Sequence, residues 1–446
     1  MEKFLRRCEE VKERIEKFKA PLIVNHYDAD GLAAGALVAK GLESLGKEYE
    51  IVTLRKLEMR EEIEEAEELI FVDFGGVEEF FGSQLKGKAV IIDHHQSSET
   101  SIPQANPHLF GFDGGSELSS SGTAYFVFRK PELADLAVVG AVGDMQLPLK
   151  SMNRKILREG IEKGVLRCDI DLTIFGRIGR PLLWFLSYCT EPFLPGLTGN
   201  ESNCYRFLNE VGIELKRDGK WRKYFELEVE ERVELISSLV AYLYSKNKFE
   251  SAHQLIGEVY ILVNHPEGSE LRDAKEYSTL LNACGRHGKP EIGIEVSLDG
   301  EEALEKARRM LYEHREELRR GMMYAVSSYE DFGLFYFLDG RGRIQDGVIG
   351  VIAGMLYGVL EGDKPILGVA LDEEAKVKVS ARATRKLVEN GVNLGEALKK
   401  ACAGIGVGGG HNIAAGGTVE SDKLNEFLLN FGRELKLGCQ KLQGKP

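Results

Sequence analysis

Acidic and histidine side chains follow four apolar runs in the early part of the chain, at 22–24, 69–72, 89–92 and 136–143. They are His26, Asp28 and Asp30 after the first run, Asp73 after the second, Asp93, His94 and His95 after the third, and Asp144 after the fourth. Alternate positions of an extended segment point the same way, so the first group alone offers three donors on one side. Carboxylate oxygens and imidazole nitrogens are ligands that divalent metals prefer. We therefore predict a metal site.

Each group taken singly also has an ordinary structural explanation. The first could be a Ca²⁺ loop or a helix N-cap at Asp30, although a Ca²⁺ loop does not normally contain histidine and no glutamate completes an EF-hand spacing. A lone Asp73 or Asp144 would usually cap a helix or a loop. Adjacent histidines point in different directions, so we expect only one of His94 and His95 to share a metal with its neighbours. The other would orient a ligand or contact a phosphate.

Together the four groups predict a site with two metal ions. So many carboxylates in one place would repel each other unless cations neutralised them. Two Mn²⁺ ions, or Mg²⁺ in their place, suit oxygen and imidazole donors, and Zn²⁺ is less favoured because thiolates are absent. Ions about 3.5–4 Å apart generate hydroxide and stabilise an in-line displacement at phosphorus. The predicted chemistry is hydrolysis of a phosphate ester.

The elements that must position these groups alternate between strand and helix. The predicted strands lie at 21–24, 50–54, 69–72 and 89–92, and the predicted helix after the first strand lies at 32–45. The run at 136–139 fits either a strand or a helix. Such alternation predicts an α/β domain with a mostly parallel sheet, whose strand ends are where ligand sites gather.

The rest of the chain divides into a helical middle region and a second α/β region. In the middle, helices are predicted at 226–243 and 301–323, and strands at 256–263 and 292–296. From residue 333 onward, strands are predicted at 334–337, 366–370 and 377–381, and helices at 348–360 and 394–401. The renewed alternation predicts a second, smaller α/β domain.

A glycine-rich run at 404–410 precedes His411. It contains a formal G-x-G-x-x-G, but a dinucleotide fingerprint needs a strand before it, and the preceding residues predict a helix. We prefer a nest of backbone N–H groups for an anion, with His411 beside it, over a flexible loop. Ser380 and Arg382 end a predicted strand, and Arg can bind phosphate through two hydrogen bonds. This segment therefore predicts a phosphate clamp, with a solvated strand edge as the alternative.

Composition excludes several classes of protein. The 446 residues carry a net charge of −13, which argues against a generally basic nucleic-acid-binding surface but is compatible with a local basic groove. No apolar run reaches 18 residues and the start of the sequence is rich in Glu and Lys, so we expect no membrane span, no signal peptide and a cytoplasmic location. Seven cysteines without a C-x-x-C pair predict free thiols, not a disulfide framework or a zinc site.

These motifs, in this order, resemble the DHH phosphoesterase superfamily. The resemblance to the DHH domain lies in residues 26–31, Asp73, Asp93-His94-His95 and Asp144. A resemblance to the associated DHHA1 domain lies in residues 379–382 and in the glycine run with His411. It covers about residues 20–150 and 330–435, and the segment 282–286 with the long middle region is similar to archaeal RecJ-like exonucleases. The first motif begins with His26, where RecJ-like nucleases typically have Asp. The resemblance implies a catalytic domain at 1–195, a helical linker and inserted region at 196–330, and a substrate-binding domain at 331–446, with a cleft between.

The resemblance also implies a role for each residue. The ligands of one Mn²⁺ would be His26, Asp28 and Asp73, and those of the other Asp30, Asp73, His94 and Asp144, with Asp73 bridging. Asp93 would support His94 without binding metal, and the open role of His95 includes contact with the scissile phosphate. The implied catalytic residues are Asp93, His94, His95 and His411, and the implied substrate-binding residues are Ser380, Arg382, Gly408, Gly409, Gly410, His411 and Arg286. The arginines at 308–320 are further candidates for contacts with a nucleic-acid backbone, with an ordinary ion-paired helical face as the alternative.

The implied function is a Mn²⁺-dependent exonuclease that acts on single-stranded DNA, RNA or both in replication or repair, with a helicase-associated protein as partner. Three alternatives stay open: a small-nucleotide phosphodiesterase or phosphatase of the nano-RNase or pAp type, a non-catalytic replication scaffold, and an inorganic pyrophosphatase. The intact acidic motifs argue against the scaffold, and the absence of a lysine-rich clamp argues against the pyrophosphatase. Polarity, processivity, the choice between DNA and RNA, the oligomeric state and the identity of the partner do not follow from the sequence.

Overall fold

The computed structural model describes residues 1–85, 87–189, 191–360 and 362–443. The chain forms two compact units: the first contains Met1–Ser187 and Asn200–Tyr312, and the second contains Tyr188–Gly199 and the described residues from Glu313 onward. None of the described helices combines the length and apolar composition that crossing a bilayer requires. No disulfide joins the six cysteines whose side chains are described, and Cys439 lies outside the described side chains.

A five-stranded parallel sheet forms the centre of the first unit. Its strands are β1 (Leu22–His26), β2 (Glu50–Leu54), β3 (Leu69–Val72), β4 (Ala89–Ile92) and β5 (Gln104–Ala105), in the spatial order β2-β1-β3-β4-β5. Alternate side chains pack into apolar clusters on the two faces, which explains why the central strands are continuous apolar runs. Asn25 pairs with Val72 and Val72 with Ile92, so the carboxyl ends of β1, β3 and β4 lie side by side. The residues that follow those strands therefore share one edge of the sheet.

The first unit also contains a series of helices. They are α1 (Glu2–Ile15), α2 (Ala29–Ser44), α3 (Glu61–Glu65), α4 (Val77–Phe81), α5 (Ser120–Phe128), α6 (Ala134–Gly143), α7 (Ser151–Lys163), α8 (Leu182–Ser187), α9 (Glu201–Glu210), α10 (Val229–Ser245), α11 (Phe249–Gln254), α12 (Ala274–Arg286) and α13 (Pro290–Ser297). Most of α2 is buried, and it packs against β1, α5, α6 and α12. Because α2 begins directly after β1, this packing holds the passage between them in place.

The structure decides one element of the first unit that the sequence left open and corrects another. The strands predicted at 50–54, 69–72 and 89–92 coincide with β2, β3 and β4. The run at 136–139 lies in α6, so Asp144 follows a helix and not a strand. The strand predicted at 292–296 is wrong, since those residues belong to α13. Short apolar runs fit a buried strand and a buried helix equally well, and here Pro290 in the first turn and the packing of α13 against α2 and α12 favour the helix.

Two small antiparallel sheets also belong to the first unit. In one, β6 (Leu166–Leu172) pairs with β9 (Ile256–Leu262), and in the other, β7 (Lys216–Arg217) pairs with β8 (Lys220–Trp221) as a hairpin. The helix predicted at 226–243 corresponds to α10, and the strand predicted at 256–263 corresponds to β9. Strand β6 is absent from the predicted elements, although its apolar residues alternate with charged ones in the way a half-exposed strand does.

A mixed six-stranded sheet forms the centre of the second unit. Its strands are β10 (Glu330–Asp331), β11 (Tyr336–Asp339), β12 (Ile366–Leu371), β13 (Val377–Arg382), β14 (Gly406–Gly410) and β15 (Ala414–Val419), in the order β10-β11-β12-β13-β15-β14. The helices are α14 (Glu301–Ser328), whose C-terminal part belongs to this unit, α15 (Asp346–Met355), α16 (Arg385–Glu389), α17 (Leu394–Ala401) and α18 (Leu424–Gln443). Only β11 and β12 run parallel. The predicted fold class is confirmed: α/β, with an N-terminal parallel sheet, a largely helical middle and a C-terminal mixed-sheet domain.

The glycine run forms β14 at the edge of this sheet, so the predicted backbone nest is wrong, and so is the alternative of a flexible loop. A Cβ at Gly406 would lie 2.2 Å from Thr418 O, and a Cβ at Gly408 would lie 2.6 Å from Cys402 Sγ. Close packing of β14 against β15 and the end of α17 therefore explains these two glycines.

Candidate metal centre

The first group of donors lies where β1 passes into α2. His26 ends β1, Asp28 is the N-cap of α2, and Asp30 is in its first turn. The Asp28 carboxylate accepts a hydrogen bond from Gly31 N at 2.9 Å, so Asp28 caps the helix, and not Asp30. A Cβ at Gly31 would lie 2.4 Å from His26 O. Glycine is thus needed for the tight passage that turns His26 and Asp28 toward each other.

Asp30 is buried against the N-terminus of α5. Its carboxylate oxygens accept hydrogen bonds from Ser120 N at 2.7 Å and from Ser121 N at 3.0 Å. Amides at a helix N-terminus favour a negative charge. Burial and the neighbouring Asp73 carboxylate nevertheless raise the pKa of Asp30 to about 6. The nearby positive charge is therefore too small to keep the pKa of Asp30 at its usual value.

Asp73 lies at the centre of the cluster. It follows β3 with a φ of 65°, in the left-handed region that is uncommon for residues other than glycine. Its Oδ2 lies 3.4 Å from His26 Nδ1, and its Oδ1 lies 3.4 Å from His94 Nε2 and accepts a hydrogen bond from Ser120 Oγ at 2.7 Å. Burial raises the pKa of Asp73, but the facing imidazoles outweigh burial and hold the pKa well below its usual range. A single carboxylate thus faces both histidines.

A backbone carbonyl orients His94. His94 Nδ1 lies 2.8 Å from Gly114 O, and because a carbonyl only accepts hydrogen bonds, Nδ1 carries a proton. This contact turns Nε2 toward Asp73. Gln146 Nε2 donates to the same carbonyl at 2.6 Å and to Asp144 Oδ2 at 2.7 Å. A Cβ at Gly114 would lie 1.9 Å from His94 O, so only glycine fits against the backbone of His94.

Asp93 contacts His95 and not His94. His95 Nδ1 lies 2.8 Å from Asp93 Oδ1, and Asn106 Nδ2 donates to Asp93 Oδ2 at 3.4 Å. The expectation that Asp93 supports His94 is therefore wrong, because Gly114 takes that role. Burial lowers the pKa of His95, but the hydrogen bond and charge of Asp93 raise it to about 8. The side chain of His95 is 42% exposed and that of His94 only 9%, so His95 is the more accessible imidazole.

Asp144 completes the cluster as the C-cap of α6. Its Oδ2 lies 3.6 Å from His94 Nδ1, and the side chain is 32% exposed. Burial and the negative charge of Asp30 raise the pKa of Asp144 to about 7, against the opposite effect of His94. Two of the carboxylates in this cluster, Asp30 and Asp144, therefore ionise less readily than usual.

The donor atoms form overlapping groups. Within each group one atom per residue lies within 4.8 Å of the others, and the groups are His26, Asp28 and Asp73; Asp30, His94 and Asp144; and Asp73, His94 and His95. The structure thus brings together all the predicted metal-ligand residues, and Asp73 belongs to two of the groups.

The chemistry of this donor set fits divalent cations. His26 Nδ1 is buried and has no partner in hydrogen-bond geometry among the described residues, although Asp28 Oδ2 lies 3.1 Å away. Burial lowers the pKa of His26, but the carboxylates of Asp28 and Asp73 raise it well above its usual range. The carboxylates thus favour the protonated, positively charged imidazole. Bound cations would supply the same positive charge without that proton. Oxygen and imidazole donors without thiolates fit Mn²⁺ or Mg²⁺.

Helix α12 supports the loop between β1 and α2 from a distant part of the sequence. Asn282 Oδ1 accepts a hydrogen bond from Ala29 N at 3.0 Å. A Cβ at Gly285 would lie 1.9 Å from Tyr27 O. The predicted substrate-binding residue Arg286 lies near Tyr27 and Asp28, and therefore beside the cluster. Burial lowers the pKa of Arg286 and outweighs the opposite effect of these two neighbours.

Several residues that shape the cluster are not indicated by the sequence motifs. They are Ser120, Gly114, Gln146, Asn106 and Arg55, whose guanidinium carbon lies 5.3 Å from the centre of the Tyr27 ring. Serines at 119–121 before an apolar run are a helix-start signature that could have indicated Ser120. The others carry no local signal, because their partners are distant in sequence.

The remaining predicted substrate-binding residues lie together in the second unit. Ser380 pairs with Gly416 across β13 and β15, and Gly416 pairs with Gly409 across β15 and β14. A Cβ at Gly350 of α15 would lie 2.5 Å from Arg382 Nη2 and 3.2 Å from Ser380 Oγ. The residues Ser380, Arg382, Gly408, Gly409, Gly410 and His411 therefore gather near the carboxyl ends of β13 and β14.

Comparisons with known proteins agree with this arrangement. A model of the N-terminal domain of the DHH family matches residues 21–141, a model of the DHH-CID domain matches 174–256, and a model of the DHHA1 domain matches 333–436. An uncharacterized protein of Methanocaldococcus jannaschii, MJ0831, is 30% identical over 425 residues, which cover 91% of each chain.

Solved structures share the fold at low sequence identity. A manganese-bound exonuclease RecJ is 17% identical, with a TM-score of 0.57 and coverage of 99% of this chain and 96% of that one. RecJ of Thermus thermophilus with Mn²⁺ is also 17% identical, with a TM-score of 0.58 and coverage of 97% and 55%. CDC45 of Entamoeba histolytica is 13% identical, with a TM-score of 0.66 and coverage of 97% and 98%. At these identities the likeness establishes the fold alone.

Proposed function

This chain belongs to the DHH/DHHA1 family and has a RecJ-like fold, and on that premise we propose that it is a Mn²⁺- or Mg²⁺-dependent phosphodiesterase that releases nucleotides from single-stranded DNA, RNA or both. The single observation that carries the proposal is the convergence of six acidic and imidazole residues into two donor groups connected by Asp73.

In the proposed mechanism, Asp73, which faces both His26 and His94, and His94, through Nε2, would help to hold the cations. When bound, the pair of ions activates water and neutralises the charge that develops on phosphate. Gly114 O and Gln146 keep His94 and Asp144 in place. Asp93 holds His95 through Nδ1, which leaves the other ring nitrogen for the substrate. Arg286, beside Asp28, contributes a positive charge to phosphate binding.

We also propose roles for the remaining parts of the chain. Residues 1–195 serve as the catalytic domain, 196–330 as linker and insertion, and 331–446 as the substrate-binding domain. Within the last of these, Ser380, Arg382, the glycines of β14 and His411 bind the substrate phosphate. The proposed setting is DNA replication or repair in the cytoplasm, with a helicase-associated protein as partner.

Purified protein should shorten single-stranded DNA or RNA of about 20 nucleotides in the presence of Mn²⁺ and lose this activity with EDTA. Substrates labelled separately at each end report polarity on a denaturing gel. Turnover confined to dinucleotides or pAp would favour the small-nucleotide enzyme, and turnover of pyrophosphate alone would favour a pyrophosphatase. A metal-loaded protein that cleaves none of these would contradict the proposal and favour the non-catalytic scaffold.

Replacing Asp93 with alanine should lower the rate by about 100-fold or more, because it removes the carboxylate that holds His95 without removing a metal ligand. The rise in melting temperature caused by Mn²⁺ should persist. A matched control is Asp169→Ala, at a partly exposed aspartate of β6. Loss of the Mn²⁺ response in Asp93→Ala would instead make Asp93 part of the metal site.

A further inference from the structure

The hairpin of β7 and β8 is strongly basic in a chain whose net charge is −13. Five of the eight residues at 216–223 are Lys or Arg and one is acidic. Lys216, Arg217 and Lys220 are exposed. Arg217 Nη1 lies 4.0 Å from Glu228 Oε1, so the charge of Arg217 is partly offset. The exposed positive charge of the hairpin is therefore mainly that of Lys216 and Lys220.

Aromatic rings lie directly beside this charge. The only two tryptophans of the sequence, Trp184 and Trp221, contact each other with ring centroids 5.4 Å apart. Lys216 Nζ lies 4.5 Å from the centre of the Trp221 ring, and Lys223 Nζ lies 5.9 Å from that of Phe225. All these rings are partly exposed. The surface therefore combines cations with flat apolar faces.

Backbone contacts hold the two parts of this surface together. Leu182 N donates to Arg222 O at 2.8 Å, and Pro181 forms a β-bridge with Lys223. Arg222 is buried and donates to both carboxylate oxygens of Glu231, which anchors the hairpin to α10. Trp184 and Trp221 thus belong to one continuous surface, which we call the Trp–Lys surface and define as Trp184, Lys216, Lys220, Trp221 and Lys223.

We propose that the Trp–Lys surface is a second binding site for single-stranded nucleic acid, which engages the part of the strand remote from the metal centre. The inference rests on the proposed function, since it assigns an additional contact to the same substrate. Lysines on phosphates release counterions, and aromatic rings stack on bases without regard to sequence. An acidic peptide would use the charges but would not use the exposed parts of the two tryptophan rings.

The position of the surface sets the length of strand that can use it. The adjoining loop is tied to α12, because Ile178 N and Gly179 N donate to Glu276 at 2.7 and 2.9 Å. The other end of α12 carries Arg286, next to Asp28 of the metal centre. Ten residues of α12 separate Glu276 from Arg286, which is about 15 Å along the helix. The Trp–Lys surface adjoins the loop at the Glu276 end, so a 20-mer can contact both sites, whereas a trinucleotide bound at one site leaves little strand for the other.

Intrinsic fluorescence tests the proposal directly, because both tryptophans belong to the surface. Full-length protein in EDTA, which prevents cleavage, is titrated with oligothymidylate of 20 and of 3 nucleotides at several salt concentrations. We expect the 20-mer to quench the emission and to bind more tightly than the trinucleotide. The double variant Lys216→Glu, Lys220→Glu should weaken 20-mer binding about tenfold or more and reduce the salt slope by about 1.4, at 0.7 for each lost phosphate contact. Trp221→Leu should weaken it about tenfold by removing a stacking face.

The control is the double variant Lys163→Glu, Lys248→Glu, which makes the same charge change at exposed positions of the first unit and should bind the 20-mer like the unaltered protein. Equal 20-mer affinity in the hairpin variant and the unaltered protein would overturn the inference even if Mn²⁺-dependent cleavage is intact. Quenching by polyglutamate but not by oligothymidylate would overturn it in favour of an acidic protein partner. Quenching by the 20-mer in a protein that cleaves nothing would support the inference while the proposed catalytic function fails. Circular dichroism verifies that each variant is folded.

Discussion

Replacing Asp73 with asparagine should abolish Mn²⁺-dependent hydrolysis and the stabilisation of the protein by Mn²⁺. Asparagine keeps the size of the side chain and an oxygen that can accept the Ser120 hydroxyl, so the fold should persist. What it removes is the carboxylate that faces both His26 and His94. Loss of a supporting contact near a metal typically costs 10–100-fold in activity, so loss of a shared ligand should cost more than about 100-fold.

The metal response gives a readout besides activity. At a Mn²⁺ concentration about 100 times Kd, binding stabilises a folded protein by about 2.7 kcal/mol, which a thermal melt detects easily. The unaltered protein should show this rise in melting temperature, and Asp73→Asn should show little or none. An unchanged Mn²⁺ response in the variant would contradict the assignment of Asp73 as a metal ligand.

Asp135→Asn is the matched control, since Asp135 is a partly buried aspartate of α6 outside the cluster. Burial raises the pKa of Asp135 to about 6. The folded protein holds the Asp135 proton more tightly than the unfolded chain does, so stability falls as the pH rises from about 4 to about 6, and the full cost is present at pH 7. A neutral asparagine removes this cost and should not reduce stability at pH 7. Activity and the Mn²⁺ response should both be retained.

Replacing Gly285 with alanine should impair both stability and activity, although alanine is the better helix former by about 1 kcal/mol. The new Cβ would lie 1.9 Å from Tyr27 O, and Tyr27 lies between the metal donors His26 and Asp28. Inserting an atom into a close-packed contact typically costs about 1–3 kcal/mol. Because the loop must move to admit it, the metal donors should lose their alignment. Melting temperature and the rate at saturating Mn²⁺ measure the two effects.

Gly432→Ala is the control for Gly285→Ala, because it changes the helix propensity without creating a close contact. Gly432 lies in α18, where a Cβ would be 3.7 Å from its nearest neighbour, Phe335 Cε1. Alanine should fit there without strain, so this variant should be as stable as the unaltered protein or more so, with full activity. If Gly285→Ala behaved in the same way, the contact between α12 and Tyr27 would not constrain the metal centre.

Sequence patterns were sufficient for elements whose signal is local. The continuous apolar runs at 69–72 and 89–92 predict strands buried on both faces, and they form β3 and β4. The runs at 136–139 and 292–296 are also apolar, yet both are helical. Their composition suits either element, and the decision came from packing against α2. The glycine run is a further case, since its glycines are explained by contacts with β15 and α17 that lie outside the run.

The sequence by itself determined which residues meet at the candidate metal centre. Parallel strands that each end in an acid or histidine must bring those residues to one edge of a sheet, so the strand pattern alone identifies His26, Asp73 and His94. Only the tertiary structure decided how they are held: Gly114 orients His94, Asp93 turns to His95, and α12 supports the loop after β1. These contacts join residues 20 or more positions apart, or depend on side-chain rotamers, and neither spacing nor composition records them. The chemical identity of the donors is therefore a local property of the sequence, whereas their orientation is a property of the packed fold.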